Sequence, residues 1–169
     1  MSQLQFRRAA ETDILQLRQL AERIWRDYYP AIIGQAQVDY MLPRMYSEEV
    51  IRREIAGGII WELAEFENAP VAFLSIGLEP SGRAKLHKLY LETSAHGRGF
   101  GQQLIARAID LARELGAPNI WLQVNKQNTR AIRAYERAGF HLEREAVVDI
   151  GNGFVMDDFI MVRNMECGA

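Results

Sequence analysis

Apolar positions along this chain recur with two distinct periods, and together these periods predict its strands and helices. Alternation with a period of two predicts strands at 4–9, 59–66, 70–78, 84–92, 120–124, 141–150 and 154–162. Spacings of three and four predict about four helices, the first capped by Thr12 and the others over 47–55, 101–115 and 128–138. Pro30 and Gly34 break the helical pattern after the first helix.

The order of these elements, β-α-α-β-β-β-α-β-α-β-β, mixes hairpins with one β-α-β crossover. The turns at Glu67-Asn68-Ala69 and Gly151-Asn152-Gly153 are typical of hairpins. A doubly wound parallel sheet would need helices between most of its strands. The chain is therefore predicted to form an α+β fold, as a single domain over residues 1–169.

Composition and charge exclude several classes of protein. The chain is 49% hydrophobic and 25% charged, with 20 Lys and Arg against 22 Asp and Glu, which argues against a dedicated nucleic-acid binder. No stretch resembles a signal peptide or reaches the roughly 20 apolar residues of a membrane span. The only cysteine, Cys167, is expected to be an incidental tail residue, so neither a disulfide nor a metal site is expected. We therefore expect a cytoplasmic protein that binds no membrane and no metal.

A glycine loop, which we define as residues 96–101 (HGRGFG), joins the strand 84–92 to the helix 101–115. Glycines lack Cβ atoms, so Gly97, Gly99 and Gly101 allow several backbone N–H groups to converge on one point. The following helix N-terminus also favours an anion, and Arg98 adds a positive charge. A pyrophosphate fits this pattern, and a tight strand-to-helix turn without a ligand is the alternative.

Two familiar phosphate-binding motifs do not fit the loop. A Walker A loop requires Gly-Lys followed by Ser or Thr, whereas Gln102 follows Gly101 here. The dinucleotide motif requires a third glycine, and Gln102 occupies that position as well. ATP and dinucleotides are therefore excluded as predicted ligands.

A second motif lies on the helix 128–138, in the segment NTRAIRAYERAGF. Asn128 and Tyr135 are seven residues apart and so lie on about the same helix face, with Ala131 between them. The small Ala131 leaves room for a ligand to pass close to the helix.

Together the two motifs resemble those of the GNAT superfamily of acetyl-CoA-dependent N-acetyltransferases. That family's loop reads Gln/Arg-x-x-Gly-x-Gly/Ala, and its helix reads Asn-x-x-Ala-x-x-x-Tyr-x-x-x-Gly-Phe. The glycine loop matches apart from its first residue, and residues 128–140 match in full. The resemblance implies the acyl-CoA N-acyltransferase fold, a mixed and mostly antiparallel sheet with splayed central strands. It also implies acetyl-CoA as cosubstrate, an amine as acceptor and, frequently, a homodimer.

The resemblance also implies roles for individual residues. Main-chain groups of Leu89 and Leu91 would pair with the pantetheine arm, and an N–H near Leu91 would polarise the thioester carbonyl. Asn128 would contact the pantetheine, and Tyr135 would protonate the departing thiolate. Arg130, Arg133 and Lys126 would meet the adenosine phosphates, although a solvated helix charge is the alternative for each of them. The pyrophosphate would be held by the loop and the first helical turn, that is, by His96, Gly97, Arg98, Gly99, Phe100, Gly101 and Gln102.

The sequence departs from the family pattern at two positions. His96 replaces the usual Gln or Arg at the start of the loop. Lys85 stands where many relatives have a glutamate that acts as the general base. His87 shares the strand face of Lys85 and is the leading replacement base, with a surface histidine as the alternative. Glu92 and the pair Asp157-Asp158 are further candidates, and the pair would also suit a cationic substrate, unless it lies on a solvated edge strand.

The acceptor is less specified than the cofactor. The segments AERIWRDYYPAII, KLHKLYL and IGNGFVMDDFIMVR are similar to PaiA-type polyamine N-acetyltransferases, which suggests a polyamine. A peptide or protein amine, an amino sugar or an aminoglycoside is the second acceptor class. A non-catalytic CoA-binding regulatory module is the alternative from outside the enzymes. No serine or cysteine is placed as a nucleophile, so direct attack by the amine is expected.

Overall fold

A computed structural model describes residues 2–166 of the chain, so Cys167 lies outside the described residues. Its strands and helices follow one another as β1 (Gln5–Arg8), α1 (Ile14–Tyr28), α2 (Pro30–Ile33), α3 (Gln35–Tyr46), α4 (Glu48–Ala56), β2 (Ile60–Phe66), β3 (Ala69–Leu78), β4 (Ala84–Leu91), α5 (Phe100–Glu114), β5 (Asn119–Asn125), α6 (Thr129–Arg137), β6 (His141–Gly151) and β7 (Phe154–Asn164). Short 3₁₀ turns at Glu11–Asp13 and Thr93–Ala95 precede α1 and α5.

The seven strands form one sheet in the order β1-β2-β3-β4-β5-β7-β6. β4 and β5 are parallel and pair at Ala84 with Ile120 and at Lys85 with Trp121. β1 with β2, β5 with β7, and β6 with β7 are antiparallel. The predicted α+β fold with a mixed, mostly antiparallel sheet is therefore confirmed.

The chain divides into two compact units, the first made of Met1–Ser75 with Lys88–Leu104 and the second of Ile76–His87 with Ile105–Ala169. The single-domain prediction for 1–169 stays a prediction. In the first unit, α1 buries Leu17, Leu20 and Trp25, and the Trp25 indole donates to the Tyr46 hydroxyl at 3.0 Å. Aromatic rings dominate this core, as Trp61 stacks on Phe73 at 6.0 Å.

The second unit is built on an alternating strand. Ile120, Leu122 and Val124 of β5 are buried, while the residues between them are half-buried. Its portion of α5 buries Ile105 and Leu111 at helical spacing, together with the two alanines Ala108 and Ala112. Gly116, with φ of 75°, ends that helix as predicted.

The start of α1 differs from the prediction. Thr12 does not cap the helix, because it lies inside the 3₁₀ turn that precedes it. Asp13 is the residue before α1, and its carboxylate accepts the N–H of Ala10 at 2.8 Å. The local turn therefore uses the longer acidic side chain rather than the threonine hydroxyl.

Two helices, α2 and α3, are present where no element was predicted. Pro30 begins α2 instead of ending α1, since a proline at the first helical position gives up only an N–H that has no helical partner. Gly34, at φ of 85°, then separates α2 from α3. α3 continues through Pro43 and buries Val38 and Met41.

Candidate functional site

The glycine loop has the open backbone that its sequence predicts. Gly97 and Gly99 have φ of 81° and 79°, a region that L-residues rarely adopt. A Cβ added at Gly97, Gly99 or Gly101 would meet no atom within 4 Å, so the space above the loop is open. α5 begins at Phe100, so the N–H groups of its first turn lie at the end of the loop. The loop can therefore take an anion against backbone amides.

The side chains of the loop have separate functions. Phe100 is 1% exposed and packs on Phe66 with ring centroids 5.0 Å apart, so only its backbone is available to a ligand. The Arg98 guanidinium lies over the Phe66 ring, 5.3 Å from the ring centroid, and Arg98 is exposed. Gln103 ties the first turn of α5 to the start of the chain, accepting the Leu4 N–H at 2.9 Å. Arg98 is thus the exposed charge of the loop, while Phe100 and Gln103 anchor the loop and the first turn of α5.

His96 contacts the end of β4. Its Nε2 lies 3.2 Å from the carbonyl oxygen of Leu91, and its ring packs edge-on against Tyr28 at 5.9 Å. The imidazole therefore links the loop to the strand that precedes it. Leu89 and Leu91 are both half-buried on β4.

Glu92 is held by an ion pair. Arg23 approaches its Oε1 with Nε at 2.9 Å and Nη2 at 2.5 Å. The backbone N–H of Glu92 donates to the carbonyl of Val71 at 2.8 Å. The Glu92 carboxylate is therefore already engaged by Arg23, which makes Glu92 a less available candidate than a carboxylate without such a partner.

Asn128 and Tyr135 lie on α6 in the second unit. Asn128 caps the helix as predicted, accepting the Ala131 N–H at 3.4 Å, and is 5% exposed. Tyr135 is 8% exposed and packs edge-on against Phe140 at 5.5 Å. Gly139, with φ of 90°, turns the chain so that the Phe140 N–H donates to the Tyr135 carbonyl at 3.0 Å. Asn128 is therefore the N-cap of the same helix that contains Tyr135.

The basic residues around α6 differ in their surroundings. Arg130 is exposed near the start of the helix. Lys126 is engaged, since its ammonium lies 2.6 Å from Asp157 and 3.4 Å from Glu145. The hydrogen bond with Asp157, followed by that with Glu145, raises the pKa of Lys126. Arg130 is thus better placed than Lys126 to receive an added phosphate.

Lys85 and His87 are half-buried on the same face of β4, as predicted. The Lys85 ammonium lies 4.8 Å from the centroid of the Trp121 ring. Lys88, on the opposite face of β4, was not singled out from the sequence. It is a buried lysine, only 7% exposed. Its ammonium lies 3.6 Å from Glu54 and 5.0 Å from the Trp61 ring.

Asp158 has a different environment from the one that its strand pattern suggests. The alternative of a solvated edge strand is wrong, because β7 lies between β5 and β6. Asp158 is 2% exposed, whereas its neighbour Asp157 is exposed and bound to Lys126. Burial, followed by the charge of Asp157, raises the pKa of Asp158 to about 6. The sequence pair is therefore one buried carboxylate and one surface carboxylate.

Within residues 2–166, no helix is long and apolar enough to cross a membrane. In the same range, no three His, Cys, Asp or Glu side chains are grouped so that they could hold a metal ion.

The chain is similar to known proteins across most of its length. Residues 17–140 match the model of the Acetyltransferase (GNAT) family. An uncharacterized N-acetyltransferase of Mycobacterium tuberculosis is 35% identical over 81 residues, which cover 48% of this chain and 51% of the relative. The chain thus spans about half the length of that relative. The peptidyl-lysine N-acetyltransferase YjaB of Salmonella typhimurium is 26% identical over 114 residues, covering 67% of this chain and 72% of YjaB.

Among solved structures, the crystal structure of the PaiA N-acetyltransferase from Thermoplasma acidophilum, in complex with coenzyme A, superposes with a TM-score of 0.79. The match covers 96% of this chain and 99% of that one at 21% identity. At this identity the likeness shows the fold alone, and it confirms the predicted acyl-CoA N-acyltransferase fold.

Proposed function

The chain belongs to the GNAT acetyltransferase family, and from that premise we propose that it transfers an acetyl group from acetyl-CoA to a primary amine. The observation that carries the proposal is the open glycine loop, where the N-terminus of α5 meets backbone with positive φ at Gly97 and Gly99. Such an arrangement favours a pyrophosphate, because several N–H groups and the helix dipole act on the same charge.

The residues present fit coenzyme A as the bound group. Space is open where Cβ atoms would stand on Gly97, Gly99 and Gly101, so a phosphate can approach the amides closely. Backbone N–H groups from Gly97 to Gln102 would hold the pyrophosphate, and the exposed Arg98 and Arg130 would add charge. His96 would act by fixing the loop to the Leu91 carbonyl. Main-chain groups of Leu89 and Leu91, and the amide of Asn128, would receive the pantetheine.

Acetyl-CoA supplies a thioester whose carbonyl carbon the amine attacks directly. The N–H near Leu91 would stabilise the oxygen that gains charge during the attack. Tyr135 would donate its phenolic proton to the leaving sulfur, a suitable match because a phenol has a pKa near 10 and a thiol near 8.5. An amine of pKa about 10 must first lose a proton, and His87 is the base that the sequence pattern favours.

For the acceptor we propose a polyamine or another small polycationic amine. Aromatic rings from α1, the residue after it and β4 contact one another. The ring centroids of Trp25 and Tyr29 are 4.4 Å apart, and those of Tyr29 and Tyr90 are 5.8 Å apart. Trp25 is buried, whereas Tyr29 and Tyr90 are half-buried, so the two tyrosines are the rings that would attract an ammonium group. A peptide lysine is the second candidate, because the relative YjaB is a peptidyl-lysine N-acetyltransferase.

We also propose that the protein forms a homodimer through the edge strand β6, and that it is located in the cytoplasm. β6 exposes Leu142, Val147 and Val148, and Val155 of β7 is exposed beside it. An exposed apolar edge favours pairing with a second chain. The cytoplasmic proposal rests on the single cysteine of the sequence, which cannot form an internal disulfide.

The experiment that tests the function measures thiol release from acetyl-CoA against a panel of amines, with mass spectrometry of each product. The panel contains spermidine, a lysine peptide, an amino sugar and an aminoglycoside. Release of one thiol for each acetylated amine is the expected result. Saturable binding of CoA with no turnover on any amine would favour the regulatory module instead.

A further inference from the structure

Asp158 is a buried carboxylate, and one of its two oxygens makes no hydrogen bond within the described part of the chain. It is 2% exposed, and among residues 2–166 its Oδ2 atom has no hydrogen-bond partner. A buried carboxylate oxygen without a hydrogen-bond partner costs folding free energy, since it gives up water and no hydrogen bond replaces that contact. Carboxylates of this kind are typical of sites where a proton is taken up or a cation is bound.

The position of Asp158 is fixed by the ladder between β5 and β7. It lies opposite Asn125, the last residue of β5, and opposite Ala146 of β6. The next step of the ladder is a bond from the Lys126 N–H to the Asp157 carbonyl at 3.2 Å. The Asn128 N–H then donates to the Asn125 carbonyl at 2.9 Å. The buried carboxylate therefore lies at the end of β5 from which the helix of Asn128 and Tyr135 starts.

Strand alternation places Asp158 on the face that carries the other candidate groups. Directly opposite residues of neighbouring strands share a face, so Asp158 lies with Asn125. Asn125 lies on the face of Trp121 by a period of two, and Trp121 is opposite Lys85. His87, two residues after Lys85, shares that face. The second unit thus presents an imidazole and a buried carboxylate on one side of its strands.

The charges around Asp158 keep it available as a base. Asp157 is adjacent, and its negative charge opposes ionisation of Asp158. Lys126 favours ionisation, but its ammonium is shared with Asp157 at 2.6 Å and Glu145 at 3.4 Å. The facing residues Asn125 and Ala146 carry no charge. With a pKa raised to about 6, the carboxylate is ionised near neutral pH and is more basic than an ordinary aspartate.

We propose that Asp158, rather than His87, is the general base that deprotonates the acceptor amine. This inference rests on the proposed acetyl transfer. An N–H bond of the acceptor ammonium breaks, an O–H bond forms at Oδ2 of Asp158, and the electron pair stays on nitrogen. The free amine then forms the C–N bond as the C–S bond breaks. The leaving sulfur takes the phenolic proton of Tyr135. The nitrogen then gives its second proton to the Tyr135 oxygen, and Asp158 returns its own proton to solvent.

The test measures kcat between pH 5 and 9 for the wild type, Asp158→Asn, Asp157→Asn and His87→Gln. In the wild type we expect kcat to fall below an apparent pKa near 6, the value of Asp158. Asp158→Asn should lower kcat by about 100-fold or more and remove this acid limb. His87→Gln should keep the acid limb of the pH profile. Asp157→Asn, the matched control, should keep the plateau kcat and move the limb to lower pH, because it removes a neighbouring negative charge.

Other results would overturn the proposal. These are an unchanged acid limb in Asp158→Asn, loss of the limb in His87→Gln, or a rise in KM alone, which indicates that Asp158 only holds the ammonium. Asp158→Glu should restore part of kcat together with a limb, which a purely structural role would not do. If the wild type itself turns over no amine, the proposed function fails. If it turns over and Asp158→Asn is unaffected, only the role of Asp158 fails.

Discussion

Replacing Gly99 by alanine tests the glycine loop as the anchor for the pyrophosphate. Gly99 has φ of 79°, and its Cβ position opens into space that contains no atom within 4 Å. The new methyl group therefore clashes with nothing in the free protein. It would stand where an anion must approach the backbone amides, so binding should suffer more than folding.

The two effects differ in size. The positive φ costs an alanine about 1–2 kcal/mol of folding free energy. For a chain of this size each kcal/mol lowers Tm by about 2–4 °C. Loss of one hydrogen bond to a charged phosphate costs about 1.5–3 kcal/mol of binding free energy. That loss corresponds to a Kd for CoA about 10- to 150-fold higher.

Gly82→Ala is the matched control for Gly99→Ala. Gly82 lies in the turn between β3 and β4, has φ of 89°, and likewise has no atom within 4 Å of its Cβ position. Calorimetric titration with CoA should show a weakened Kd for Gly99→Ala and an unchanged one for Gly82→Ala, while thermal melts show similar losses in both. Equal CoA affinity in the two variants would refute the role of the loop.

Three further predictions concern the chemistry, the pH dependence and the assembly. Tyr135→Phe keeps the ring against Phe140, so melting should change little while kcat falls by about 100-fold or more; full activity would disprove the acid role. Because folding raises the pKa of Asp158 to about 6, its contribution to stability is complete below about pH 4 and is lost as pH rises through 6. The stability of the wild type relative to Asp158→Asn should therefore fall over that range, and urea unfolding at several pH values measures it. Val147→Lys should convert a dimer into a monomer in analytical ultracentrifugation, and an unchanged mass would rule out β6 as the interface.

Local capping chemistry made part of the site predictable from the sequence. Asn128 supplies the side-chain acceptor that starts α6, and Gly139 supplies the positive φ that ends it. Both effects act within one or two turns, so their spacing in the sequence fixes the helix. The glycine loop is predictable for the same reason, since Gly97 and Gly99 adopt the conformations that only glycine takes readily.

Other parts of the fold depend on distant contacts and could not be predicted. Pro43 argues against a helix because it lacks an N–H donor, yet α3 continues through it with Val38 and Leu42 buried. Asp158 is polar and follows another aspartate, which is typical of a surface strand. Asp158 is nevertheless buried on β7, a strand inside the sheet, and the order of elements along the chain does not specify that position. Lys88 is buried beside Glu54 for a similar reason, because its partner lies on a helix far away in the sequence.

The central claim is acetyl transfer to an amine from acetyl-CoA held by the glycine loop. The measurement that tests it most directly is thiol release from acetyl-CoA across the amine panel, with the wild type and Gly99→Ala compared at subsaturating acetyl-CoA. The account predicts one acetylated amine for each thiol released, and a lower rate for Gly99→Ala that recovers as acetyl-CoA approaches saturation. Absence of any acetylated amine, or an equal rate for both proteins at low acetyl-CoA, would contradict it.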